Sequence, residues 1–170
     1  MCLNKDEECR NNLYAFLMRH DFKIAKCGFF VGYRNVDTTR EEGVYTDHHS
    51  HTFRIKIGEI VTMPREDCDC SSQNECSRGL HVSGTNWLSR NYFGNTGLVV
   101  LVNPADCVAV PERSDYGKLR TCAYLPIDIM HYNTEGKVIP YPKETGFECD
   151  LVPMVIYEGI MGTETSAAYK

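Results

Sequence analysis

Between Glu75 and Thr85 the chain crowds together a thiol (Cys76), a guanidinium (Arg78), an imidazole (His81) and two hydroxyls (Ser83 and Thr85). A short apolar alternation, Leu80 and Val82, runs through them, and Gly79 and Gly84 bracket it. Three chemistries fit these residue types. Cys76 beside His81 forms a nucleophile pair, because an imidazole lowers a thiol pKa, although no third group stands out to orient it. Cys68, Cys70, Cys76 and His81 are a set of soft metal ligands. Their Cys-x-Cys-x5-Cys-x4-His spacing lacks the paired C-x-x-C that marks zinc, so no cofactor is strongly implied. The pieces His48-His49-Ser50 and His81-Val82-Ser83 repeat an H-x-S pattern, the device by which two histidines share acid and base roles on a phosphoester.

Two further residues belong with these. Arg34 sits in Cys27–Val36, a stretch of aromatic and branched residues that reads as a strand. A cation there must reach solvent, a partner or an anion, since an unpaired buried charge is costly. Arg120 raises the same question in Lys118–Leu125, where Leu119, Thr121 and Ala123 alternate with Arg120, Cys122 and Tyr124. The histidine cluster His48, His49 and His51 adds metal-ligand types, but neighbours on one loop converge poorly on a single ion.

The elements that must position these groups can be read from period and punctuation. Asn4–Arg19 is expected to be a helix capped by Asn4, with Glu7 three residues on as in a capping box. Cys9, Leu13, Phe16 and Leu17 fall on one of its faces. Thr38–Ser50 reads as a loop, Phe53–Ile57 as a half-buried strand by its alternation, and Ile60–Met63 as a strand stopped by Pro64. A short helix over Asn86–Phe93, capped by Ser83 or Thr85, follows the central strand, with Trp87, Leu88 and Tyr92 inward. Leu98–Val102 is uniformly apolar, as a strand covered on both faces should be; Cys107–Val110 and Lys118–Leu125 complete the set. The resulting expectation is an α+β single domain with a mostly antiparallel or mixed sheet, an N-terminal helix and one short helix. Residues 1–127 form that domain, and 128–170 form a proline-bearing extension, four of the seven prolines falling between 126 and 153.

Bulk composition narrows the function classes. A length of 170 residues with 42% hydrophobic and 11% aromatic content supports one buried core and excludes wholesale disorder. The net charge of −5 argues against nucleic acid as a partner, which needs a basic stripe. No apolar run approaches the roughly 20 residues of a spanning helix, and the first eight residues are too acidic for a signal peptide. A soluble cytosolic protein with reduced thiols is the expectation for its nine cysteines.

Several segments, taken in order, carry a resemblance. They are Ile57-Gly58-Glu59, Val61-Thr62-Met63-Pro64-Arg65, Cys76-x-x-Gly79-Leu80-His81-Val82, Val102-Asn103-Pro104-Ala105-Asp106, Val108-Ala109-Val110-Pro111 and Lys118-Leu119-Arg120-x-Cys122-x-Tyr124. Over about residues 30–127 the chain resembles the bacteriophage rIIB-like family, at its C-terminal domain. That implies a phage-encoded accessory protein of the infected host cytoplasm, acting mainly by binding a host or phage protein, in host-defence antagonism or as an interaction module, with an oligomer left open. It carries no catalytic residue across. A looser similarity to ADP-ribosyltransferase-like folds would give Arg34 a pyrophosphate and Ser83 or Thr85 a ribose, with His81 beside them; Arg120 is a separate candidate ligand-binding cation. On that similarity the protein is a nucleotide-processing enzyme using Arg34, His81 and Ser83, though the late glutamates Glu144, Glu148 and Glu158 sit in no motif. A small nucleotide bound without turnover, and a structural role in a phage assembly, are the other readings.

Overall fold

The first helix begins two residues later than its sequence cap implies. In the computed structural model, which describes residues 4–20, 22–25, 28–88, 94–111 and 117–139, helix α1 spans Glu7–Arg19. Its cap is Asp6, whose carboxylate accepts from the Cys9 N–H at 2.8 Å and meets the positive end of the helix. Asn4 is instead buried and donates its amide to the Pro104 and Cys107 carbonyls, both at 2.8 Å. The side chain that resembled a cap therefore pins the start of the chain to the sheet. Cys9, Leu13, Phe16 and Leu17 form the buried stripe that their spacing requires.

Eleven strands follow among the described residues: β1 (Phe30–Thr38), β2 (Val44–Thr46), β3 (Ile55–Lys56), β4 (Val61–Thr62), β5 (Leu80–Ser83), β6 (Thr96–Val102), β7 (Cys107–Ala109), β8 (Lys118–Thr121), β9 (Ala123–Ile129), β10 (His131–Tyr132) and β11 (Val138–Ile139). One short helix, α2 (Thr85–Leu88), follows β5. The main sheet runs β4-β9-β6-β1-β5-β8-β7, with β2 joined to the far end of β1 and β3 to β2; β10 and β11 form a separate hairpin. Every pairing between these strands is antiparallel. The protein is thus an α+β fold dominated by one antiparallel sheet.

The two faces of the sheet bury different clusters. Leu98, Val100 and Val102 of β6 join Leu80, Val82 and Leu119 under the Leu13–Leu17 stripe of α1. Val99 and Leu101, pointing the other way, join Val31, Tyr33 and Leu88 of α2. Strand β6 is covered on both faces, which is why it reads as an unbroken apolar run.

Three expectations change. Thr38–Ser50 is not all loop, because Val44–Thr46 folds back on β1 with Asp37 opposite Thr46. The Phe53–Ile57 alternation yields only the two residues of β3, and Ile57 lies in a turn at 41% exposure. Lys118–Leu125 is two strands that part at Cys122. There the Cys122 N–H and the Thr121 hydroxyl both donate to the Asp106 carbonyl, at 3.0 and 2.9 Å, and the chain passes from β5 and β7 to β4 and β6. The expected helix is described over Thr85–Leu88; residues 89–93 and Cys27 lie outside the described residues. Ser83 does not cap it, since its hydroxyl donates to the Tyr33 carbonyl at 3.4 Å.

Candidate functional site

The cleft lies where the sheet opens. On one side β1 pairs with β6 from Phe30↔Val102 to Val36↔Thr96. On its other side it meets β5 at Tyr33↔Ser83. Gly32 makes that meeting possible, because a Cβ there would run into the Val82 side chain. Next to it, Arg34 replaces a ladder bond with a side chain: its Nη1 donates to the His81 carbonyl at 2.6 Å, and its guanidinium lies 5.4 Å from the Tyr124 ring centroid. A half-buried strand cation is thereby held by a carbonyl and an aromatic face, with no carboxylate on it among the described residues.

The opening is a cavity of about 670 Å³, lined by Arg34, Cys76, His81, Ser83, Trp87 and Lys118. The loop carrying Asp47, His48, His49 and Phe53 supplies another wall. Register accounts for the cluster on the sheet side. Across β5 and β8, Ser83 faces Lys118 and His81 faces Arg120, so two cations and two polar groups share one side of neighbouring strands. Lys118 is 4% exposed; its Nζ donates to the Cys76 thiol at 2.9 Å and sits 5.3 Å from the centre of the Trp87 ring.

Charge in the cleft is one-sided. Burial, and then the positive charges of Lys118, Arg34 and Arg120, push His81 down to about 3 from an ordinary 6.5, so the imidazole is neutral at physiological pH. Among the described residues its Nε2 has no hydrogen-bond partner, nor has Arg34 Nε. Asp47 is the single carboxylate among the described lining residues. Burial works against its charge. Hydrogen bonds from the Ser50 hydroxyl and from the Phe53, Ser50 and Thr52 N–H groups outweigh that and lower it to about 2. That carboxylate is committed to shaping its own loop.

Not every residue singled out by sequence comes to the cleft. Arg34, His81, Ser83 and Cys76 do, and so do His48, His49 and Ser50, which brings both H-x-S pieces to one cavity. However, His48 Nδ1 is taken by Asp37 at 2.9 Å and the Ser50 hydroxyl by Asp47 at 2.7 Å. Cys76 is paired with Lys118, in place of the expected His81. Thr85 opens α2 and does not line the cavity. Arg120 is fully buried and holds the loop after Cys68 to the sheet: it donates to the Asn74 carbonyl at 2.9 Å and to the Ser71 carbonyl, with Asp69 3.9 Å away. It anchors this loop and is not among the residues lining the cavity. The four soft ligands are dispersed, for Cys68 packs on Val108 and Cys122 while Cys70 lines a separate crevice with Cys9 and Val110. Among the described residues no group of three or more His, Cys, Asp or Glu is arranged to hold a metal ion. Glu144, Glu148 and Glu158 lie outside the described residues. Lys118 and the cleft role of Trp87 escaped the sequence reading. The signal for Lys118 was its place opposite Ser83, visible only once the register is known.

An antiparallel α+β domain with a cationic cleft between two of its central strands is the frame in which the relatives are to be placed. The family described as bacteriophage T4 protein rIIB matches residues 1–131. The chain belongs to this bacteriophage rIIB family, and is a phage accessory protein. It is 33% identical over 123 residues to Protein rIIB of Enterobacteria phage T4, a match covering 71% of this chain and 38% of that protein. The chain therefore spans well under half the length of that relative. The family match starts at residue 1 and takes in α1, which the resemblance drawn over residues 30–127 left out. No solved structure matches. The looser ADP-ribosyltransferase-like similarity is not shown by these comparisons. No helix among the described residues is long and apolar enough to cross a membrane.

Proposed function

We propose that this phage accessory protein works by binding, and that the cleft between β1 and β5 captures a small anionic ligand without turning it over. The observation that carries the proposal is the convergence of Arg34 and Lys118 on a cavity whose one described carboxylate, Asp47, is fully engaged. A cation-rich pocket walled by low-dielectric protein concentrates anions even on a protein of net charge −5. The same residues make a poor catalyst. General acid–base chemistry works best with a pKa near the working pH, and His81 at about 3 and Asp47 at about 2 both lie far below it.

Membership of a phage family supports action inside the infected host, in its cytoplasm. Withholding an anionic metabolite from the host is then one route to host-defence antagonism. The test is native mass spectrometry of the tagged chain recovered from infected cells. An intact anionic small molecule should co-purify with the wild-type protein and be lost from Arg34→Gln. Recovery of cleavage or transfer products in its place, or equal retention by the variant, would count against capture in this cleft.

A further inference from the structure

We infer that the ligand of this cleft is a nucleoside phosphate, an inference that rests on the anion-capture reading above and narrows it. Size comes first. A cavity of about 670 Å³ is too roomy for a lone phosphate or sulfate and falls within the roughly 300–1,000 Å³ of small-molecule sites. Polarity comes second. The cations are Arg34, Lys118 and Arg78, the one lining carboxylate, Asp47, is engaged within its own loop, and much of the remaining wall is apolar, with Phe53, Met63 and Trp87 in it. A ligand filling such a space has an anionic end and a flat, largely apolar body. A dicarboxylate carries charge at both ends and would strand one of them on the apolar wall, at a desolvation cost.

The two unpartnered nitrogens fit the same ligand. Arg34 Nε and His81 Nε2 are buried without a hydrogen-bond partner among the described residues, and both belong to residues lining the cavity. A phosphate oxygen can accept from Arg34 Nε, and a second oxygen or a sugar hydroxyl can meet His81 Nε2. Lys118 already lies over the Trp87 ring at 5.3 Å, so a phosphate drawn to Lys118 carries an attached base toward the indole. Ser83 is within the same lining for the sugar. No bond is made or broken in this assignment.

The experiment uses the full chain and four probes: inorganic pyrophosphate, adenosine, ADP and UDP. Trp87 is the one tryptophan of the sequence, so its fluorescence reports on the cleft directly. Calorimetry gives affinities in parallel. A nucleoside diphosphate is expected to bind at least about tenfold more tightly than either pyrophosphate or adenosine, and to quench Trp87. Raising salt should weaken it, and Arg34→Gln should weaken it at least about tenfold while the quenched spectrum at saturation is unchanged. Pyrophosphate binding as tightly as ADP and UDP would overturn the nucleotide assignment and leave anion capture standing. Adenosine binding as tightly as ADP would overturn both. So would the absence of binding by all four probes, and ADP recovered as AMP would overturn capture without turnover.

Discussion

Strands β6 and β5 lie on either side of β1 and could hardly be used more differently. Strand β6 is hydrogen-bonded to β1 along Phe30–Val36 and buries Leu98, Val100 and Val102 on one face and Val99 and Leu101 on the other. Strand β5 keeps Leu80 and Val82 for the core beneath α1, but on its other face it carries His81 and Ser83 and meets β1 at Tyr33↔Ser83. The lesson is that the same sheet is closed where both faces are apolar and open where one face turns polar. What the ladder gives up at β5 is replaced by the Arg34 side chain on the His81 carbonyl. The open edge of that exchange is the cavity.

The comparison can be broken by truncating each strand in turn. Leu98→Ala in β6 removes a fully buried side chain and should lower unfolding free energy by about 2–5 kcal/mol, read as a drop in the urea midpoint. Ser83→Ala in β5 loses only a long hydrogen bond and should cost about 1 kcal/mol or less. Equal costs would remove the distinction between the two strands.

Next in size is Arg120→Ala. Arg120 ties the Ser71 and Asn74 carbonyls to the sheet, and the same loop goes on to supply Cys76 and Arg78 to the cleft. Loss of these charge-assisted bonds should cost about 2 kcal/mol and expose residues 69–79 to limited proteolysis before the rest of the fold. An intact loop in that variant would show that the β5 side is held by something else.

The smallest effects are in pH. His81 in the unfolded chain takes up a proton near 6.5 but in the fold resists until about 3. The unfolded state binds more protons between those values, so this contribution to stability is full above pH 6.5 and is lost as pH falls toward 3. Asp47 acts lower: its stability is present above 3.8 and is lost as pH falls toward 2. Urea midpoints against pH should therefore flatten in the upper window for His81→Gln and in the lower one for Asp47→Asn. A swapped or absent effect would contradict the burial assigned to each group.

The apolar half of this architecture was legible in the sequence and the polar half only partly. Leu13, Phe16 and Leu17 announce a helix by spacing, and Leu98–Val102 a doubly covered strand by composition, because burial leaves a periodic trace. Arg34 and His81 stood out as polar residues in apolar surroundings. Lys118 did not, since it stands at the start of an ordinary-looking strand and gains meaning from Ser83 and Cys76, which are remote in sequence. Nor could an unbroken Lys118–Leu125 pattern reveal that the chain changes partners at Cys122; both halves are buried, so periodicity does not falter. Asn4 and Asp6 are equally good caps by type, and tertiary bonds to Pro104 and Cys107 decide between them.

The central claim is that an anion settles among Arg34, Lys118 and His81. The proton NMR titration of the His81 imidazole addresses it most directly, run on the full chain with and without saturating ADP. Without ligand the ring should stay neutral down to about pH 3. With ligand, the added negative charge should favour the imidazolium and move the titration upward. A His81 signal indifferent to ADP, with shifts appearing elsewhere, would contradict the account.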